Sequence, residues 1–181
     1  MSNYSPAHTA TATLPSATTT LHVLVGTTGD NALHAAQAAA DTLASHFKDT
    51  TVTRLDSSHG IAVLASETAA PGAPQTSDTV YIVCSSTHGA GDVPENAQAF
   101  LASFDLEPAY LGHVYYGLMA MGDSTYGDTY AGGPKLLDAK LADLGAKRIG
   151  TVFEHDASED DDAPAAARAW ATDWIASWAK P

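Results

Sequence analysis

Residues Gly26-Thr27-Thr28-Gly29-Asp30-Asn31 join a short apolar run to a stretch with helical periodicity. Small residues allow a tight turn there, and the N–H groups that open a helix face any anion placed before them. Thr27, Thr28 and Asn31 add uncharged hydrogen-bond groups, which together is the chemistry of a phosphate cradle. No Gly-Lys-Ser/Thr follows, so this is not a Walker loop, and there is no Gly-x-Gly-x-x-Gly dinucleotide fingerprint. No Lys or Arg precedes Lys48, so the expectation is a phosphate held by neutral donors alone. The same residues also fit a plain strand-to-helix turn with Asp30 or Asn31 as N-cap. A second segment, Ser85 to Asn96, contains Ser86, Thr87, His88, Gly89, Ala90 and Gly91. Its two glycines permit close backbone approach to a flat ligand, and Thr87 and His88 can hydrogen-bond or stack. A third, Met121 to Asp128, sets Tyr126 among Gly122, Asp123 and Ser124. Tyr126 is there either a stacking platform for an aromatic ring or a surface ring packed on a neighbouring helix.

These segments make sense only if elements of the chain bring them together. Leu21 to Val25 and Val80 to Cys84 read as buried strands, and Val52 to Leu55 reads as a short one. Val114 to Met121 is a further apolar run, and Arg148 to Phe153 is expected to give a fifth strand. Between them, Leu33, Ala36, Ala40, Leu43 and Phe47 recur at helical spacing, as do Ala97, Phe100, Leu101 and Phe104. Leu136, Leu137, Leu141 and Leu144 mark another helix before a stop at Gly145, and Pro164 opens a last one with Trp170, Trp174 and Trp178 on one face. Residues 57–78 are ambiguous: Pro71, Gly72 and Pro74 mark a loop, and Ile61 to Ala65 fits a strand or a helical turn. Strand-helix alternation predicts a parallel sheet with helices on both faces. In such a sheet ligands sit at the carboxyl ends of strands, where the three segments fall.

In that order, Val25 to Asn31, Ser86 to Asn96 and Ala120 to Tyr126 resemble the three FMN-binding loops of the flavodoxin family. The resemblance is greatest to the flavodoxin-like domains of diflavin reductases and to small stand-alone proteins similar to them, and it covers roughly residues 21–178. It implies an α/β fold, a doubly wound five-stranded parallel sheet in the order 2-1-3-4-5. It also implies that Thr27, Thr28, Gly29, Asp30 and Asn31 hold the FMN phosphate. Ser86, Thr87, His88, Gly89, Ala90 and Gly91, with Gly122, Asp123, Ser124 and Tyr126, would surround the ring. His88 and Tyr126 would lie against its two faces, and the Gly89 carbonyl would lie near flavin N5. Such sites have no catalytic acid or base and no metal; the cofactor carries the redox chemistry. Three departures bear on affinity. Gly26 stands where the family has a serine hydroxyl, and His88 where an aromatic residue is more common. Asp30 sets a carboxylate near a phosphate dianion, which weakens binding unless it points away or caps the helix.

The chain of 181 residues suits one domain, residues 21–181, after a tail over residues 1–20 rich in Thr, Ser and Ala. The formal net charge is -13. Such a charge repels nucleic acid and anionic membrane surfaces and attracts a basic protein. No Lys or Arg lies between Asp56 and Pro134, and five acids fall within Asp156 to Asp162, so a strongly negative ligand rim is expected. The acids at Asp156 to Asp162 also suit the start of the last helix. The single cysteine, Cys84, fits a reducing, cytoplasmic setting, and neither a secretory signal nor a membrane-spanning run is evident.

The reading is an FMN-dependent one-electron carrier, served by a separate NAD(P)H-dependent reductase and passing electrons to a basic redox partner. Alternatives are an FMN-dependent quinone reductase on the same fold, or a flavin-free interaction module. Gly122-Asp123-Ser124 and Asp56-Ser57-Ser58-His59 resemble blocks of SGNH hydrolases, but their order along the chain is reversed. A phospho-receiver domain is excluded because no aspartate ends the third strand.

Overall fold

The structure, a computed structural model, describes residues 18–64, 79–107, 109–159 and 162–178. The tail over residues 1–17, the Pro71 to Pro74 loop, and Asp160 and Asp161 lie outside the described residues. The strands are β1 (Thr20–Gly26), β2 (Asp49–Arg54), β3 (Thr79–Ser85), β4 (Tyr115–Gly122), β5 (Lys147–Arg148) and β6 (Phe153–Asp156). The helices are α1 (Asn31–Leu43), α2 (Glu95–Leu106), α3 (Gly132–Asp143) and α4 (Ala163–Ala176). All pairings are parallel, in the order β2-β1-β3-β4-β5, and β6 also pairs with β4. Parallel strands need crossovers, and α1, α2 and α3 supply them.

Alternation along the strands sorts side chains to two cores. Leu21, Val23 and Val25 of β1 join Ile82 and Met119 beneath α1 and α4. Leu24, Val83 and Leu118 join Phe100 of α2 and Leu137 of α3 on the other face. Alanine at Ala35, Ala36, Ala39 and Ala40 lets α1 lie close to the sheet and to α4. Ile61–Leu64 is a single 3-10 turn, one of the two forms its sequence allows.

Two expectations need correction. The structured chain begins earlier than a tail over residues 1–20 implies: Thr20 is already in β1, and the Thr19 carbonyl accepts from Lys48 N at 2.8 Å. The fifth strand is not continuous from Arg148 to Phe153. Its place is shared by β5, which pairs with the start of β4, and β6, which pairs with its end. Gly150 between them has φ +65°, which turns the backbone out of the ladder. The carbonyls freed there find indole donors: Trp174 Nε1 donates to Ile149 O at 2.8 Å and Trp170 Nε1 to Thr151 O at 2.9 Å. The tryptophans of α4, stacked 5.6 Å apart, therefore cover the break.

Candidate functional site

The carboxyl ends of β1, β3, β4 and β6 surround a cleft of about 540 Å3, a size suited to a small-molecule ligand. The first loop contributes Thr27, Gly29, Asp30 and Asn31, and the second Ser86, Thr87, His88 and Gly89. The third contributes Gly122, Asp123 and Tyr126. Four residues singled out in the sequence, Thr28, Ala90, Gly91 and Ser124, are not among those lining the cleft.

The first loop is shaped from within. Thr27 is buried, and its hydroxyl accepts from Gly29 N at 3.2 Å. Asp30 occupies the N-cap position of α1 but makes no side-chain cap bond, so the N–H groups of the first turn keep no partner from it. Its carboxylate instead lies 4.0 Å from Arg54 Nη1, and Arg54 Nε donates to Thr27 O at 3.0 Å. The loop thus has a cationic neighbour, Arg54, although its own residues offer only neutral donors. Arg54 ends β2, in register with Val25 across the sheet, and so reaches a loop that it follows by more than twenty residues in sequence. Gly26 also has a physical reason. A Cβ there would stand 2.8 Å from Ala97 Cβ, so a serine would collide with α2. Ser86, just after β3, ties to this loop: its Oγ donates to Thr27 Oγ1 at 3.2 Å.

The second loop is a tight turn in which His88 N donates to Asp92 O at 2.8 Å and Asp92 N to His88 O at 2.9 Å. Gly89 has φ +52° and Gly91 φ +99°, so the turn requires glycine at both places. Gly91 lies behind the cleft wall, against Thr129 and the start of α3. Thr87 Oγ1 donates to Met121 O at 3.2 Å, which ties the second loop to the end of β4.

In the third loop, Asp123 caps a 3-10 turn by accepting from Thr125 N at 2.9 Å. Tyr126 rides on that turn with 68% of its surface exposed. Ser124 is a strut: its N–H donates to Asp156 Oδ1 at 2.9 Å, and its hydroxyl pairs with Ser158 Oγ at 2.9 Å. Bonds from Ser124 and Ser158 hold the Asp156 carboxyl well below the usual carboxylate range.

Sequence reasoning missed a fourth contributor. His155 and Ala157, in and just after β6, line the cleft together with Tyr130 and Ala131. Ala131 is left-handed at φ 51°, uncommon without glycine. Burial raises the Tyr130 phenol above its ordinary value, with the charges of Asp156, Glu154 and Glu159 adding to it. The rim is not wholly anionic, since Lys135 Nζ donates to Tyr130 O at 2.8 Å.

A family model described as flavodoxin matches residues 23–170. The chain is 32% identical over 152 residues to flavodoxin YqcA of Pectobacterium carotovorum, covering 84% of this chain and 92% of that one. The chain belongs to the flavodoxin family. This flavodoxin is also 34% identical over 104 residues to protein MioC of Escherichia coli K12, a match that spans 55% of this chain and only 64% of MioC. A cysteine-substituted flavodoxin from Pseudomonas aeruginosa shares the fold at a TM-score of 0.68 and 23% identity, over 88% of this chain and 98% of that one. Bovine methionine synthase reductase is 38% identical over 78 residues, which are 41% of this chain and 11% of that protein.

Members of this family are typically FMN-dependent electron carriers, and the residues present fit that cofactor. The start of α1 lines the cleft at one loop, glycine turns allow close backbone approach at the next, and His88 and Tyr126 offer aromatic surface. Among the described residues, no helix is long and apolar enough to cross a membrane, and no group of three or more His, Cys, Asp or Glu could hold a metal ion.

Proposed function

We propose that this flavodoxin binds one FMN non-covalently in the cleft and carries single electrons from a separate NAD(P)H-dependent reductase to a basic redox-partner protein. The observation that carries the reading is the convergence of the three sequence loops on one cleft, with an exposed tyrosine at its rim. When bound, FMN supplies reversible one-electron chemistry, and the chain supplies binding and tuning.

In this reading the first loop takes the phosphate: Thr27, Thr28, Gly29, Asp30 and Asn31 form the cradle at the start of α1. Ser86 to Gly91 form one wall, with the His88 ring and the Gly89 carbonyl toward the flavin. Gly122, Asp123, Ser124 and Tyr126 form the other, with Tyr126 as the stacking ring. Of these, Thr28, Ala90, Gly91 and Ser124 stand outside the cleft lining. The similarity to part of methionine synthase reductase supports a separate protein as electron donor. The excess of acidic residues supports a basic acceptor, and the single cysteine supports a cytoplasmic setting.

The purified protein is expected to be yellow, or to become so with added FMN, and acid should release FMN. A colourless protein that takes up no FMN would overturn the proposal. Steady NAD(P)H-quinone turnover without a partner would instead favour a reductase.

A further inference from the structure

We propose that Arg54 makes the first loop selective for a phosphorylated flavin over an uncharged one; the inference rests on the FMN reading. The loop has only neutral groups of its own besides Asp30, and Asp30 lines the cleft. Left alone, that carboxylate would face a phosphate dianion across the mouth of α1, a like-charge encounter that disfavours binding. Arg54 changes the balance from another strand. Its Nε donates to Thr27 O at 3.0 Å, and its Nη1 lies 4.0 Å from Asp30 Oδ1. The guanidinium is thus held between two residues of the cleft wall, and the loop's charge is cancelled before a ligand arrives.

The pair does little for the fold itself. Both side chains are more than one-third exposed, and ion pairs of that kind contribute little to stability. A guanidinium has five N–H donors in a fixed fork, a geometry that matches phosphate oxygens. One of them is committed to Thr27 O, and the guanidinium also lies beside Asp30, behind the residues that line the cleft. Arg54 is a positioning residue in this scheme: it fixes the loop and offsets Asp30. An uncharged flavin gains nothing from the cancelled charge.

The test is titration of apo-protein with FMN and with riboflavin, followed by flavin fluorescence, for the natural chain and for Arg54→Ala, Asp30→Asn and the double variant. Arg54→Ala should weaken FMN binding about tenfold, because Asp30 then faces the phosphate without an offsetting charge, and change riboflavin binding by less than about twofold. Asp30→Asn should tighten FMN binding alone, and in the Arg54→Ala background should restore most of the loss. Salt should weaken FMN binding more in the natural chain than in Arg54→Ala. Equal weakening of both flavins, or unchanged FMN affinity, would overturn the inference. Should Arg54→Ala fail to fold, Asp30→Asn decides alone, since unchanged FMN affinity there also overturns it. A natural chain that binds riboflavin as tightly as FMN removes this inference and leaves the flavin site standing; one that binds neither removes both.

Discussion

The ring of Tyr126 stands at the cleft rim with most of its surface in solvent, although aromatic rings contribute most when covered. A flat ligand would cover it. Tyr126→Ala is therefore expected to weaken FMN binding by about tenfold, measured by fluorescence titration, with the melting temperature of the apo-protein unchanged. His22 supplies a pH-dependent counterpart on β1. Its Nε2 lies 2.9 Å from Thr53 Oγ1, and burial, then the nearby His59, depress it below its ordinary 6.5. The fold thus favours neutral His22, while the unfolded chain takes up a proton near 6.5. The stability it contributes is present above that value and is lost as pH falls through the depressed one. The urea midpoint should decline as pH falls below about 6.5, and His22→Asn should flatten that decline. Asp56 and Asp156 are held below the usual range, Asp56 by Ser58, so their contributions are lost only at lower pH. At this scale the sequence was readable wherever a residue acts within its own loop. Asp30 stood out as a problem, but its answer, Arg54, lies one strand away and only the register of β1 with β2 joins them. Gly26 was seen as a lost hydroxyl, whereas Ala97 of α2 forbids a side chain there.

Among the elements, α4 links fold and site. Trp174 is buried, packs against Gly117 of β4, where a Cβ would meet its ring at 2.9 Å, and donates to the carbonyl in the β5–β6 gap. Trp174→Ala is expected to cost about 3–5 kcal/mol in urea unfolding, since it removes a large core side chain and a buried hydrogen bond together. The four-residue spacing of Trp170, Trp174 and Trp178 was legible as one helical face, and β1, β3 and β4 were legible as apolar runs. The division of the fifth strand was not. Ile149 and Val152 continue the apolar pattern through Gly150, and only the φ of that glycine and the indole donors from α4 explain the gap. Because the division went unread, so did the part His155 and Ala157 take in lining the cleft.

Across the whole molecule, a net charge of -13 sets a long-range field that a cationic partner would feel before contact. Electron transfer to a basic acceptor should slow roughly tenfold between about 50 and 300 mM salt, as read by stopped-flow absorbance, if steering governs encounter. The charge was legible from composition, but its distribution was not, because folding ties Arg54 to Thr27 and Lys135 to Tyr130, two residues of the cleft wall. The gap between β5 and β6 bears on a different hazard, the open margin of a sheet. An uninterrupted outer strand offers a row of unpaired amides on which a second chain can add. Here one margin is β2, six residues bounded by Asp49 and Arg54, and the other is cut into pieces of two and four residues. Among the described residues neither presents a long apolar ladder, so the turn that brings His155 to the cleft also shortens the edge on which a second chain could add.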